Sequence, residues 1–523
     1  MKHNLTFAAP LLVAVSLFLG LAACGPNPSY IILVTATPSI GTSGQAPPPV
    51  DSGLPTATLD PTQAPTPTFI PTPNPTRTAV VDPNEDQTHI VQFGDTLSTV
   101  ASLYGVTVES IMQANNLQDA NVLAVGQTLL IPLSVQTVGS DFKIIPDSEL
   151  VYGPSVQGFH VAEYLERSDS FLRNYTEEWN GQMLSGAEIV ERVALEQGLN
   201  PRLLLALLEY ESGWVSHATV SQEAALYPMN YTENPTQIYG LYKQLDWAGK
   251  MLQLGYYGWR LRGLSAVLLA DGTRVGLNST INAGTAGVQL LLAQTRELDS
   301  WLAATHHTGF ATTYDSMFGD PFQYAVEPLL PPGLTQPALA LPWAKGETWY
   351  FTGGPHGGWG AAGAWAALDF VPVEEINGCE IPDDWATAVA DGIIARSEYG
   401  IVVLDLDGDG FEGTGWTIFY LHISSEDRPV QAGQHVKVGD PIGHPSCEGG
   451  VSYASHMHIA RRYNGEWINV ECNDCLPAVE HPQLNLEGWL GYSFGTEYNG
   501  ALIKGDEYRE ACTCRDPVNT MTH

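Results

Sequence analysis

Positively charged residues are scarce in this chain. Lys and Arg number 22 against 57 Asp and Glu, and the formal net charge of the 523 residues is −35. A chain this acidic repels polyphosphates, so the composition argues against nucleic-acid binding and against attraction to anionic lipid headgroups. The length exceeds that of one ordinary domain and predicts two or three cores joined by linkers.

The apolar run at the N-terminus is too short to form a permanent membrane helix. It spans residues 11–19, follows the basic start Met1-Lys2-His3, and is followed by a small-residue stretch that ends in Cys24. This pattern resembles a bacterial lipoprotein signal over residues 1–24, with Cys24 as the lipidated residue. The alternative is a plain secretory signal with an incidental cysteine. Both alternatives predict an exported protein, and the first predicts a membrane-anchored lipoprotein at the cell envelope whose folded domains lie outside the cytoplasm.

Residues 25–87 are rich in Pro and Thr and lack the apolar residues needed for a core. Such a composition favours extended polyproline II conformations. We interpret this segment as a linker that holds the folded domains away from the anchor.

Residues 88–133 resemble one LysM repeat, a βααβ module that binds N-acetylglucosamine polymers such as peptidoglycan. The resemblance rests on the phrase at residues 89–97, two helix-like segments, and a final strand-like run at residues 126–132. It implies that sugar contacts come from Gly94, Asp95, Thr96 and Asn121. Asp95 or Thr96 is also suited to cap the first helix, and capping and sugar binding are compatible. The small core is predicted from Val91, Leu97, Val100, Ile111, Leu129 and Ile131.

Residues 147–314 are predicted to be mainly helical. Ser185 and Glu188 have capping-box spacing, Gly198 is a helix stop, and Asn200-Pro201 starts a second helix that runs into Glu211. The phrase around Glu211 resembles the start of lytic transglycosylases of the lysozyme-like fold, which implies that Glu211 is a general acid with a raised pKa. A structural or glycan-binding helical domain without this activity is the alternative.

The densest group of chemical motifs lies beyond residue 340. His356 precedes Asp369 by thirteen residues, His456 and His458 alternate on a predicted strand, and His422 ends another strand-like run. Catalytic zinc takes three protein ligands from His and carboxylate groups and leaves a position for water, so this set suffices for a zinc site. Residues i and i+2 of a strand point to the same face, which brings His456 next to His458.

These residues resemble the beta-lytic, lysostaphin-like and LytM-type zinc metallopeptidases, which cut cell-wall peptides. The resemblance covers residues 341–523 and implies a mainly antiparallel β domain. It implies Zn²⁺ ligation by His356, Asp369 and His458, with His422 and His456 as catalytic residues. Trp365 replaces the first ligand of the lysostaphin-like spacing, so the match is to the beta-lytic branch. The implied substrate is a short cross-bridge or stem peptide with Gly or Ala at the cut.

Six of the seven cysteines lie in this last region. Export favours disulfides over a structural zinc site. The family resemblance implies a Cys379–Cys447 disulfide. The other four, Cys472, Cys475, Cys512 and Cys514, allow three pairings that the sequence does not separate, and a structural zinc site is their alternative.

Asp405, Asp407 and Asp409 have the spacing of a calcium loop, with Gly410 at its sixth position. Position twelve is Trp416, which is not a ligand, and Asp-Gly turns are expected between two strands. Calcium binding and a plain turn are both retained as interpretations.

The sequence therefore predicts a multidomain exported peptidoglycan hydrolase: a LysM βααβ module, a mainly α lysozyme-like middle domain and a mainly antiparallel β zinc endopeptidase. Its partners are predicted to be the glycan and peptide of peptidoglycan and, through the lipid, a membrane. The alternatives are a non-catalytic wall-binding or activator protein, and a lytic transglycosylase that acts through Glu211.

Overall fold

A computed structural model describes residues 87–91, 95–104, 106–124, 126–132, 137–374, 377–472, 475–476 and 481–523. The predicted signal segment, Cys24, the linker up to residue 86 and Gly94 lie outside the described residues. In the part of the chain that the structure describes, every helix is too short or too polar to cross a bilayer.

The N-terminal module has the predicted βααβ order. Its elements are β1 (Gln87–Ile90), α1 (Leu97–Tyr104), α2 (Val108–Asn115) and β2 (Thr128–Ile131). Thr107 caps α2 by accepting a hydrogen bond from the Ser110 amide, and Thr96 accepts one from the Thr99 amide, 3.1 Å, at the start of α1. The six predicted core residues are all buried in one apolar cluster that is separate from the rest of the chain. The strand begins at Gln87, one residue before the predicted boundary.

The middle region is helical. Its helices are α3 (Val161–Leu165), α4 (Phe171–Asn174), α5 (Gly186–Gln197), α6 (Pro201–Ser212), α7 (Gln222–Leu226), α8 (Leu241–Leu261), α9 (Ala283–Ala293), α10 (Leu298–Thr305) and α11 (Phe310–Phe318). Short 3-10 turns occupy Asp147–Glu149, Pro154–Val156 and Pro321–Tyr324. The capping box of Ser185 and Glu188 is confirmed at the start of α5, Gly198 ends that helix with a φ of +71°, and Asn200 caps α6. Local sequence therefore determines where both helices begin and where α5 ends.

Two hairpins interrupt the helices of this region. They are β3 (Thr176–Trp179) with β4 (Gln182–Ser185), and β5 (Ala266–Leu268) with β6 (Arg274–Gly276). The first turns at Asn180 and Gly181, which both have positive φ, as an Asn-Gly hairpin requires. Helix α11 also continues beyond the predicted end of the region at residue 314.

The C-terminal region is built of antiparallel strands. They are β7 (Thr348–His356), β8 (Ala367–Pro372), β9 (Ala386–Thr387), β10 (Gly392–Glu398), β11 (Gly400–Asp405), β12 (Trp416–Ile423), β13 (His435–Val436), β14 (Pro441–Gly443), β15 (Met457–Tyr463), β16 (Glu466–Trp467), β17 (Asn485–Leu486), β18 (Trp489–Ser493), β19 (Gly500–Lys504), β20 (Glu507–Glu510) and β21 (Thr520–Thr522). In the described chain the largest sheet has the order β13-β10-β11-β12-β15-β8-β7-β21, and β16 pairs with β15. A second sheet has the order β17-β18-β19-β20.

Both faces of the large sheet are covered. One face, which includes Phe370 and Tyr420, packs into a core made of β-region residues alone. The opposite face carries Phe419, Leu421 and Ala460, which pack into the same apolar cluster as the helices. Every residue of β12 is buried as a result, which explains why residues 418–421 are a continuous apolar run and do not alternate with polar residues. We call this second face, which the helical region covers, the helix-facing side.

Buried polar contacts join the two regions across the helix-facing side. Arg260 of α8 places its Nε atom 2.6 Å from Oε1 of the fully buried Glu466, in an ion pair whose alignment is poor for a hydrogen bond. The Trp467 amide donates to the hydroxyl of Tyr257, 2.9 Å. Arg462 donates to the carbonyl of Leu195 at the end of α5, 3.2 Å. A shared core with these contacts predicts that the two regions unfold together.

Replacing Arg260 with Met is expected to lower the free energy of unfolding by about 3–5 kcal/mol, because it leaves the Glu466 carboxylate buried without its partner. Urea denaturation followed by fluorescence measures the change. The exposed Arg167→Met is the matched control and is expected to leave stability within about 0.5 kcal/mol of the original. Equal stability of the two variants would contradict the assigned interface.

Candidate metal centre

Three predicted metal ligands meet on the helix-facing side of the large sheet. His356 is the last residue of β7, Asp369 lies on β8, and His458 lies on β15. Strands β8 and β15 are neighbours, and His458 pairs directly with Asp369 in their register. The three side chains are all buried, and one potential ligand atom of each lies within 4.8 Å of the others.

The ligand atoms are closely grouped. His356 Nε2 lies 3.0 Å from His458 Nδ1 and 3.3 Å from Asp369 Oδ1, and His458 Nδ1 lies 3.3 Å from the same oxygen. The remaining nitrogens of both rings face backbone carbonyls: His356 Nδ1 lies 2.8 Å from Gly354 O and His458 Nε2 lies 3.1 Å from Gly358 O. Donation from these nitrogens leaves the grouped nitrogens free to act as ligands.

These distances fit zinc. Ligands held tetrahedrally at the usual zinc distance of about 2.0–2.2 Å lie about 3.3–3.6 Å apart, close to the separations of 3.0–3.3 Å found here. Oδ1 of Asp369 is buried and receives no hydrogen bond among the described residues, as expected of an atom reserved for a cation. The donor set of two imidazoles and one carboxylate is the set that catalytic zinc uses.

The electrostatics of the group favour a charged carboxylate. Burial alone raises the pKa of Asp369, but the neighbouring His356 and His456 hold that pKa well below its usual range. Burial lowers the pKa of His458. The carboxylate therefore stays ionised and His458 stays neutral near neutral pH, as metal ligation requires.

His422 reaches the site through a β-bulge. In the pairing of β11 with β12, the register shifts between the pairs Gly400–Ile423 and Ile401–Leu421, so His422 is the extra residue. Its φ of +60° lies in the left-handed region, which few non-glycine residues adopt. Its Nδ1 lies 3.0 Å from Glu448 O. The sequence placed His422 at the end of the strand, whereas the strand continues to Ile423.

His456 completes the group of five. Its ring lies 4.5 Å from that of His422, and its Nε2 lies 3.7 Å from Asp369 Oδ1. Its Nδ1 lies 2.8 Å from the carbonyl of Ala454. Burial lowers the pKa of His422 to about 3, with the neighbouring imidazoles adding to the effect, so this ring is neutral at physiological pH.

Two further residues shape the site and were missed in the sequence. The ring of Tyr498 stacks on that of His356, with centroids 4.3 Å apart. A Cβ on Gly353 would lie 2.4 Å from Oδ2 of Asp369, so only glycine fits opposite this ligand. Tyr498 lies far from any sequence motif, so no pattern in the sequence indicates its role. Gly353 belongs to the same Gly-Gly-Pro-His phrase as His356, which could have indicated it.

The six described cysteines form three disulfides. They join Cys379 to Cys447, Cys472 to Cys475, and Cys512 to Cys514. The first ties the loop after β8 to the loop before β15, next to Glu448, which orients His422. The interpretation of the last four as a structural zinc site is therefore wrong, because near neighbours in sequence pair with each other.

The Asp-rich turn lies apart from this centre, between β11 and β12. One oxygen from each of Asp405, Asp407 and Asp409 lies within 4.8 Å of the others. Amides of Asp407, Gly408 and Gly410 donate to the Asp405 carboxylate, which is what an Asp-Gly turn does without a cation. Calcium binding stays a prediction.

Glu211 lies at the end of α6 and pairs with Arg296, whose Nη2 is 2.7 Å from Oε1. Burial raises the pKa of Glu211, and Arg296 opposes that rise. Catalysis by Glu211 stays a prediction. Among the predicted sugar contacts, Asp95 Oδ2 lies 2.8 Å from His89 Nε2, and the Asn121 side chain donates to Asp119.

The metal centre borders a cavity of 870 Å³. All five site residues line it, together with Tyr498 and Trp359. A cavity of this volume lies within the range of ordinary ligand-binding clefts.

Two family models match the chain. The LysM domain matches residues 89–132, and the model described as LasA, N-terminal domain, matches residues 143–332. Residues 89–132 are thus a LysM domain, as the sequence predicted. The lysozyme-like assignment of the middle region stays a prediction, since its match is to the LasA domain.

The chain is similar to two groups of curated proteins. Protease LasA of Pseudomonas aeruginosa is 22% identical over 348 residues, which cover 62% of this chain and 75% of that protein. The N-acetylmuramoyl-L-alanine amidase XlyA of Bacillus subtilis is 33% identical over 73 residues, 14% of this chain and 25% of that protein.

Solved structures of M23 metallopeptidases also match. Pseudoalterin, an M23 metalloprotease from the deep sea, is 21% identical and covers 34% of this chain and 96% of its own, with a TM-score of 0.27. The catalytic domain of lysostaphin from Staphylococcus simulans is 22% identical. The match covers 24% of this chain and 89% of the lysostaphin domain, with a TM-score of 0.17.

The purified protein is expected to bind about one zinc ion per chain, because three grouped ligands and their backbone partners fit that ion. Asp369→Ala and His458→Ala are expected to lose most of the metal, and His422→Ala to retain it. Mass spectrometry of the metal content, after dialysis against chelator and reloading, measures this. The exposed His306→Ala is the matched control, and full zinc occupancy in Asp369→Ala would contradict the assignment.

Proposed function

We propose that this chain is an exported, zinc-dependent peptidoglycan endopeptidase that its LysM domain targets to glycan. The observation that carries the proposal is the grouping of His356 Nε2, Asp369 Oδ1 and His458 Nδ1 within 3.3 Å of one another. Two more imidazoles, those of His422 and His456, lie beside this group on the wall of the same cavity. The similarity to protease LasA supports the reaction class.

The chain's own residues supply the remaining chemistry. His356, Asp369 and His458 would hold the Zn²⁺, which would supply a Lewis acid for the peptide carbonyl and would lower the pKa of the attacking water. Because carbonyls fix the Nδ1 atoms of His422 and His456, their Nε2 atoms are left for the reacting groups. A neutral imidazole accepts a proton from water, and a protonated one donates a hydrogen bond to the developing oxyanion. His422 and His456 serve these two roles. The ring of Tyr498 stacks on the ring of His356 and restricts its movement.

The substrate we propose is a cross-bridge or stem peptide with Gly or Ala at the cut. The LysM domain and the similarity to an amidase that is named for a muramoyl-alanine bond both support peptidoglycan as the polymer. Residues 1–24 support export, and Cys24 is the residue we propose for lipid attachment, which would keep the enzyme at the envelope.

His422→Ala is expected to lower kcat for peptide cleavage by about 10²–10⁴-fold while zinc stays bound, because general acid–base chemistry is lost and the ligands are not. Release of peptide fragments from purified peptidoglycan, followed by mass spectrometry, measures the rate. Glu211→Gln is the control, and it is expected to cut peptides as the original protein does. If the original protein released anhydro sugars and the Glu211→Gln variant did not, the result would instead support glycan cleavage by Glu211. Metal-loaded protein that cuts no peptide would support a non-catalytic wall-binding role.

Deleting residues 88–133 is expected to weaken binding to insoluble peptidoglycan about tenfold or more and to leave cleavage of a short soluble peptide unchanged. The module has its own core, so its removal leaves the catalytic region folded. Sedimentation with insoluble peptidoglycan measures binding. Unchanged sedimentation would contradict the targeting role.

A further inference from the structure

The helical region forms part of the cavity that contains the metal centre. Seven residues line it from the helical side, and we call them the helical wall: Trp179, Asn180, Arg192, Glu196, Tyr242, Asp246 and Lys250. The five site residues line the β side of the same cavity. The described hydrogen bonds and ion pairs of those five side chains are all made within the β region, so the helical wall borders the site without bonding to it.

Trp179 is held in a fixed orientation at the end of the first hairpin. Its indole stacks on the ring of Tyr242, with centroids 3.8 Å apart and an angle of 21° between the planes. Tyr242 is buried, and its hydroxyl donates to Oε2 of Glu196, 2.6 Å. Trp179 itself is only half-buried. One face of the indole is therefore anchored, and the rest is available to the cavity.

Lys250 of the helical wall lies next to the loop that follows the predicted ligand His356. Its Nζ lies 2.6 Å from Oδ2 of Asp246, one turn earlier on α8, which leaves further N–H donors. Its Cε atom lies next to Gly360, 3.5 Å from where a Cβ on that residue would be. Residues 357–360 follow His356 directly, and the carbonyl of Gly358 in this loop orients His458. A group bound at Lys250 is thus close to the reacting peptide.

The chemistry of the helical wall suits a sugar ring. A flat aromatic surface contacts the apolar C–H face of a pyranose, and surrounding N–H donors meet its hydroxyls and acetamido carbonyl. Asn180, Arg192 and Lys250 supply such donors beside Trp179. Each cation is paired with an acid of the same wall, because Arg192 Nη1 lies 3.7 Å from Glu196 Oε1 and Lys250 Nζ lies 2.6 Å from Asp246 Oδ2. The wall therefore offers both donors and acceptors to sugar hydroxyls.

We propose that the helical wall binds an amino-sugar residue of the glycan strand to which the cut peptide is attached. This inference rests on the proposed peptidoglycan endopeptidase activity. It makes the helical wall part of the substrate-binding cleft, so that the enzyme prefers peptides that still carry sugar.

The experiment compares two soluble substrates prepared from one peptidoglycan. Muramidase digestion gives peptides that keep their sugars, and amidase digestion gives the same peptides without sugars. The original protein is expected to cleave the first with a kcat/KM about fivefold or more above that for the second, which corresponds to about 1 kcal/mol of added binding. Trp179→Ala and Lys250→Met are expected to remove most of that preference through a higher KM for the sugar-bearing substrate.

Matched controls exist in the same region. Tyr231→Ala removes a ring that stacks on Trp247 outside the cavity, and Lys243→Met removes a lysine earlier on α8. Both are expected to keep the preference, and thermal unfolding shows whether each variant is folded. An original protein that cuts both substrates equally, or variants that keep the preference or cleave faster, would overturn the inference. Failure to cut either substrate would instead reject the proposed function.

Discussion

His458 and Asp369 face each other across two neighbouring antiparallel strands, and the candidate metal centre depends on that register. Side chains alternate between the faces of a strand, so a slip of one residue would turn either ligand into the opposite core. The slip is opposed because both faces of β15 are buried, with Met457 and Ile459 on one side and His458 and Ala460 on the other. Packing of ordinary apolar residues therefore fixes the geometry of the polar ones, and the glycine opposite Asp369 gives the carboxylate its room.

The helical region is what buries the ligand-bearing side. Arg462 illustrates the dependence: it lies on that side of β15, its guanidinium lies 3.7 Å from the ring centre of Trp467, and it donates to carbonyls at the end of α5. Burial lowers the pKa of Arg462 to about 10, and the nearby Glu412 carboxylate compensates for part of that cost. The buried guanidinium thus uses acceptors from both regions, the Glu412 carboxylate and the carbonyls of Leu195 and Glu196. The covering helices and the sheet thus share one core, from which we expect them to unfold together.

Much of this organisation was predictable from local patterns. The capping box at Ser185, the helix start at Asn200 and the core of the first module need only a few neighbouring residues, so sequence suffices for them. The grouping of His356, Asp369 and His458 was predictable by family resemblance. The bulge at His422, the stacking of Tyr498 on His356 and the ion pair between Arg260 and Glu466 were not, because each depends on which distant segments pair. Contacts between distant regions of the chain leave no pattern among neighbouring residues in the sequence.

The shared core limits how the β region can be moved between proteins. If residues 341–523 were fused to a different domain without the helices, the apolar side chains that pack against the helices would be exposed to solvent. They include Phe419, Leu421, Ala460 and Trp467. Surfaces of that kind recruit other chains and drive aggregation. Chimeras of this chain would need to be joined upstream of residue 143, where the chain passes from the LysM module with its own core into the region whose core is shared.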